Sequence, residues 1–331
     1  MSLFFRINLL TLVLCFGLVA LGAFVRLSNA GLGCPDWPGC YGHVGVPEQN
    51  HEVAAAEQAF PQRPVEAHKA WKEMIHRYLA GIVGGLIAAL AVMALGNRAE
   101  PRGLALATAA VVIVQIVFGA LTVTMMVNPL IVTTHLMLGL TTLSLLWWMW
   151  LSRPRLDAPF ALTGPARSLA PLVLLAVVVQ IFLGGWTSTN YAATACPDFP
   201  TCLGSYAPAA PLGDAFTLWH GHDRNYEFGI LDGAVRATIH LVHRYGALVI
   251  SLLTATLALL MLARQSSRGL GLALIAALAL QVVIGISLIH FQFPLWLADA
   301  HNAGAALLLL TVLAVNFHAF RPLPITSLGR S

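Results

Sequence analysis

Eight runs of about twenty predominantly apolar residues, separated by short clusters of charge, proline and glycine, match the helix length that crosses the hydrocarbon core of a bilayer. They are approximately Ile7–Leu27, Trp71–Leu95, Leu104–Val127, Ile131–Leu151, Ser168–Asn190, Arg236–Ala263, Gly269–His290 and Ala298–Phe320. Only 10% of the 331 residues are charged and 58% are hydrophobic, whereas soluble domains carry about 25% charged residues. A water-soluble fold is excluded. The 18 basic and 14 acidic residues leave a net charge of +4, too dispersed for a nucleic-acid-binding surface. The expected fold class is an all-α polytopic membrane protein with eight transmembrane helices.

The connections set the orientation. With the N-terminus inside, Arg6, Arg98, Arg102, Arg153, Arg155, Arg167, Arg264, Arg268, Arg321 and Arg330 all fall on the cytoplasmic side, opposed there by Glu100 and Asp157 alone. The positive-inside rule therefore predicts both termini in the cytoplasm. Trp147, Trp148 and Trp150 fall at an inner boundary, as an aromatic belt or as packing against a neighbouring subunit, so an oligomer is open. The first run has features of a cleaved signal peptide, with Arg6 before it and Ser28-Asn29-Ala30 after it.

An internal repeat argues that this run is retained. Cys34-Pro35-Asp36-Trp37-Pro38-Gly39-Cys40 recurs as Cys196-Pro197-Asp198-Phe199-Pro200-Thr201-Cys202, displaced by 162 residues. His76-Arg77-Tyr78 recurs as His243-Arg244-Tyr245 at 167, and Gln115, Gly119 and His135 recur as Gln281, Gly285 and His301 at 166. One four-helix unit is used twice, giving halves at 7–151 and 168–320 that form two pseudo-symmetric four-helix bundles. An even number of spans per unit makes them parallel repeats, each with a core able to hold a site between facing helices.

Histidine inside a membrane span is costly and marks function. His76 and His135 enter their spans from the same side at matched depth, about 6–8 Å below the outer boundary at the helical rise. His243 and His301 repeat the arrangement. A single such histidine reads as a hydrogen bond to a neighbouring helix. A level pair, repeated in register, fits the two axial positions of a b-type haem. Zinc or copper would need a third and fourth ligand, and the absence of Cys-x-x-Cys-His excludes covalent haem attachment. His43, His51, His68, His220 and His222 are placed in aqueous loops, and His290 and His318 near helix ends.

The halves differ beside the histidines. Glu73 precedes His76 by three residues on the same helical face, and its counterpart is His240. Two readings of Glu73 stand: a general acid/base serving one half only, or a carboxylate favouring the helix N-terminus and pairing with Lys72 or Arg77. The outer cysteines read as one disulfide per loop, Cys34 with Cys40 and Cys196 with Cys202. Either these are staples over a haem pocket, or they are reversible thiol pairs that pass electrons or accept haem. Cys15, alone in the first span, reads as a small apolar residue.

Together these residues resemble the haem A synthase family, membrane enzymes that convert haem O to haem A for cytochrome c oxidase, over essentially the whole chain. The resemblance implies that the N-terminal half holds the substrate haem through His76 and His135, with Glu73 catalytic. It also implies that His243 and His301 in the C-terminal half hold a permanent haem b that moves electrons. The C8 methyl of haem O would be oxidised to a formyl group through a hydroxylated intermediate. A haem O synthase and an electron-transfer protein would be partners. The short segment before the first span lacks an Arg- and Ser-rich transit sequence, which points to a bacterial inner membrane. The alternatives are a diheme b-type cytochrome linked to quinol, with two permanent haems and no need of Glu73, and a transporter, with no need of matched histidines.

Overall fold

In hydrocarbon, backbone polar groups must be satisfied within their own segment, which leaves helices and closed barrels. The computed structural model of the protein, describing residues 1–153, 162–221 and 224–320, is built of helices joined by irregular loops, with no strand among the described residues. Its helices are α1 (Leu3–Leu27), α2 (Asn50–Ala59), α3 (Ala67–Gly96), α4 (Arg102–Thr124), α5 (Pro129–Leu151), α6 (Pro165–Thr189), α7 (Leu212–Ala215), α8 (Gly233–Leu262), α9 (Arg268–His290) and α10 (Leu295–Phe320). Eight of them, all but α2 and α7, are long and apolar enough to cross a membrane. The chain is a multi-pass membrane protein.

The spans begin earlier than the apolar runs. α3 starts at Ala67 rather than Trp71, and α8 at Gly233 rather than Arg236. Helical hydrogen bonding continues through polar turns that a reading by hydropathy assigns to the loops. For the same reason His51 lies in α2 and His68 in the first turn of α3, not in loops. Arg155, Asp157, His222, Arg321 and Arg330 lie outside the described residues.

Helix ends repeat as the sequence does. Asn128 caps α5, its side-chain oxygen accepting from the Leu130 N–H at 3.0 Å, with Pro129 in the first turn. Asn29 closes α1 in the left-handed region and Tyr191 closes α6 there. Met126 and Val127 turn the chain from α4 into α5 with positive φ, as Gln292 and Phe293 do from α9 into α10. The fold carries these non-glycine left-handed turns at the offsets of the repeat.

α1, α3, α4 and α5 each touch the next, and α5 closes on α1; α6, α8, α9 and α10 form a second ring. The rings meet through α1 with α10, α5 with α6, and α5 with α10. One continuous apolar cluster crosses the junction, from Leu12 through Leu143 and Met149 to Val173, Leu257 and Val312. In lipid, close packing and interhelical hydrogen bonds hold such contacts. Trp147 Nε1 donates to the Leu310 carbonyl at 2.9 Å, and Trp148 meets Phe317 edge-on with centroids 5.4 Å apart. Trp150 lies under the Arg153 guanidinium. These tryptophans therefore pack within the chain, two of them joining α5 to α10. At the other end Arg26 donates to the Ser188 and Thr189 carbonyls and stacks on Tyr191, and Arg63 pairs with Glu227 at 3.0 Å. Cys15 is buried in the core.

Candidate functional site

Two rings of four helices place His76 (α3) with His135 (α5), and His243 (α8) with His301 (α10). α3 and α5 lie across the first ring from each other, between α1 and α4, and α8 and α10 across the second, between α6 and α9. Counted from the helix starts, His76 is the tenth residue of α3 and His135 the seventh of α5. Counted in this way the two positions differ by three residues.

Each imidazole lies against a glycine of a neighbouring helix. A Cβ on Gly22 (α1) would stand 3.0 Å from His76 Nε2, and one on Gly184 (α6) 3.2 Å from His243 Cε1. A Cβ on Gly119 (α4) would stand 3.3 Å from His135 Cε1, and one on Gly285 (α9) 3.0 Å from His301 Cε1. No larger residue fits without moving the ring. These glycines recur at the repeat offsets of 162 and 166, so the cradle repeats along with the histidine.

Glutamine amides lie beside three of the four rings. Gln115 and Gln281 approach Nε2 of His135 and His301 at 3.4 and 3.3 Å, and Gln180 approaches Nδ1 of His243 at 3.0 Å. Nδ1 of His135 and of His301 is buried without a hydrogen-bond partner among the described residues. A buried ring nitrogen left open is costly unless something takes it. A nitrogen donor set without thiolate or carboxylate is the axial chemistry of a b-type haem, so the residues present fit that group.

The residues following His76 and His243 clamp the two cysteine loops. The Arg77 guanidinium donates to the Glu73 carboxylate and to the carbonyls of Gly39 and, at 3.2 Å, Pro38. Arg244 donates to the carbonyls of Asp198 (2.8 Å), Thr201 (2.7 Å) and Cys196 (2.9 Å). The Tyr78 hydroxyl donates to the Val44 carbonyl and that of Tyr245 to Tyr206. The His-Arg-Tyr triplet thus holds its ring in the bundle and its loop by the next two side chains.

Glu73 is buried, and its second oxygen accepts the Cys34 N–H at 3.0 Å. Of the two pairing partners expected, Arg77 is the one realised; Lys72 lies over the Phe24 ring. His240, in the matching place, is buried edge-on to Phe293 with Nδ1 unpartnered among the described residues.

Both cysteine pairs are joined as expected, Cys34–Cys40 with Cα atoms 4.8 Å apart and Cys196–Cys202 at 4.7 Å. Asp36 accepts from the N–H groups of Tyr41 and Gly42, and Asp198 from those of Leu203 and Gly204. The Thr201 hydroxyl, followed by those backbone donors, holds the Asp198 carboxyl well below the usual carboxylate range. All four cysteines are buried. The helix α2 packs Ala56 into the first loop's core.

Residues 5–313 match the family described as cytochrome oxidase assembly protein, COX15-CtaA. The chain is 43% identical over 312 residues to the heme A synthase of Shewanella oneidensis, covering 93% of this chain and 94% of that protein. It is 27% identical over 337 residues to the heme A synthase of Caulobacter vibrioides, covering 93% of each chain. It is also 27% identical over 342 residues to that of Paracoccus denitrificans, covering 94% of this chain and 86% of that one. With the match running through both helix rings and both cysteine loops, the chain belongs to the cytochrome oxidase assembly protein family.

Proposed function

We propose that the protein acts as a haem A synthase, oxidising the C8 methyl of haem O to a formyl group and so giving haem A for cytochrome c oxidase. The observation that carries this reading is the doubled site: two partly buried histidine pairs, each ring set against a glycine of a neighbouring helix. The asymmetry around the pairs divides the work. His76 and His135, in the half spanning 7–151, hold the substrate haem O. His243 and His301, in the half spanning 168–320, hold a resident haem b. When bound, the haem iron supplies the redox chemistry, and the protein supplies ligands, dryness and a proton-handling group.

That group is Glu73. It lies one turn from His76 and has no acidic counterpart beside His243. Its carboxylate holds or moves a proton, or stabilises positive charge developing at the substrate. Arg77 balances its charge and anchors it to the loop above. The disulfides act as staples: their burial keeps attacking thiols away, and the loops they close exclude water from the outer mouths of the two bundles. The protein lies in a bacterial inner membrane with both termini cytoplasmic and the cysteine loops outside. A haem O synthase delivers substrate, and a separate electron-transfer partner receives electrons.

Expression with a source of haem O, followed by chromatography of the extracted haems, tests the function. Haem A or its hydroxylated precursor beside haem B is the expected result. Haem B alone at two per chain would identify a diheme cytochrome, and no haem a transporter. A second check follows from the cradle. Gly285→Ala puts a methyl group 3.0 Å from His301 Cε1, and is expected to shift the absorption of the resident haem and lower its content in the purified protein.

A further inference from the structure

Gln180 breaks the repeat. It lies on α6 one turn before Gly184, the glycine that backs His243, and its amide spans the histidine. Nε2 stands 3.0 Å from His243 Nδ1 and donates to the His243 carbonyl at 2.8 Å. Room for that amide comes from Gly246 on α8, where a Cβ would lie 2.1 Å from Gln180 Oε1. At the repeat offsets of 162 and 167 the first half carries Leu18 and Leu79 instead. Among the described residues no hydrogen bond reaches the His76 ring, and it is the one ring of the four without a glutamine. Two residues thus change together, and both changes concern the same histidine.

We propose that Gln180 and Gly246 form a positioning pair that locks His243 as a permanent axial ligand, and that Leu18 and Leu79 leave His76 as the ligand that lets its haem go. The inference rests on the reading that these histidines ligate haem. An imidazole that gives Nε2 to iron keeps its proton on Nδ1, and a partner on that nitrogen fixes the ring's tautomer and plane. Gln180 Oε1 is buried and unpartnered among the described residues. Turning the amide over brings this oxygen to an Nδ1–H in exchange for the donation to the His243 carbonyl, from which the turned amide must then move away. A leucine offers neither contact. Gln281 and Gln115 stand at Nε2 of His301 and His135 instead, so among the four rings His243 alone has a glutamine on Nδ1.

The test uses the full-length holoprotein. Release of haem b to excess apomyoglobin and the low-spin ferric EPR spectrum are measured in Gln180→Leu, Gln180→Glu and Gly246→Ala, with His243→Ala as reference. Outer ligand partners change metal affinity about 10- to 100-fold, so Gln180→Leu is expected to release haem b at least about tenfold faster with shifted g values. Gly246→Ala, which displaces the amide without removing it, should move both readouts in the same direction. Gln180→Glu, whose carboxylate accepts from Nδ1–H, should restore retention and lower the midpoint potential, which a packing role alone would not move. The reverse pair, Leu18→Gln with Leu79→Gly, should slow release from the N-terminal site. Unchanged release and g values in Gln180→Leu and Gly246→Ala, with haem b lost in His243→Ala, would refute the positioning pair and leave the ligand reading standing. Haem b retained in His243→Ala would overturn both.

Discussion

Glu73→Gln is expected to lower conversion of haem O by about 10²- to 10⁴-fold, the range removed with a general acid or base, while haem stays bound. The substitution preserves shape and one acceptor oxygen for the Cys34 N–H. It replaces the other oxygen, which meets Arg77, by an amide donor facing the guanidinium. Two losses follow: a proton-handling carboxylate and a clamp on the first cysteine loop. Arg77→Gln separates them, because it removes the clamp on Gly39 and Pro38 and leaves the carboxylate in place. If Glu73 serves chemistry, Glu73→Gln is far the more damaging of the two. If it serves only the loop, both variants lose activity alike and both expose the Cys34–Cys40 loop to protease. Chromatography of extracted haems measures conversion, and limited proteolysis measures the loop. Full conversion in Glu73→Gln would remove Glu73 from the mechanism.

The parts of this molecule that were legible in its sequence are those where the bilayer is strict. Apolar runs showed all eight spans because lipid tolerates little else over that length. The offsets near 162–167 tied His76, His135, His243 and His301 to two equivalent environments. The cysteine pairs were readable from their spacing and side. Helix starts were not, because Ala67–Ala70 and Gly233–Val235 are helical in a region where hydropathy carries no signal. Nor was the helix α2, whose capping box of Gln49 and Glu52 lies in a long polar connection. The glycine cradles were missed for another reason. A glycine in an apolar span looks like any small packing residue: Gly119 and Gly285 showed as repeated residues but not as ring contacts, and the recurrence of Gly22 as Gly184 went unused. Gln180 did leave a trace, an amide inside an apolar run with leucine at its matching position. The Arg77 and Arg244 clamps were visible as repeated residues but not as loop anchors, since their partners are backbone carbonyls that every sequence has.

His243→Ala is expected to remove most of the b-type haem from the purified protein, at least about the tenfold loss that removing a mere hydrogen-bond partner of a metal ligand causes, and conversion should fall with it. His76→Ala is expected to keep that haem and lose conversion through the substrate site. The repeat by itself predicts no such difference: each histidine follows the same helix face, lies against a glycine and is followed by an arginine and a tyrosine that clamp a disulfide loop. The inequality comes from what stands around the histidines. His243 has Gln180 on its ring and His240 one turn away, whereas His76 has no hydrogen-bonded partner among the described residues and has Glu73 in the place of His240. A site that retains its haem needs fixed ligands, and a site that exchanges its haem needs one that yields. Reduced-minus-oxidised spectra and haem content of the two variants decide the matter. Equal loss of haem b in both would mean two permanent haems and a diheme electron carrier, and an unchanged spectrum in His243→Ala would mean that the resident haem has other ligands.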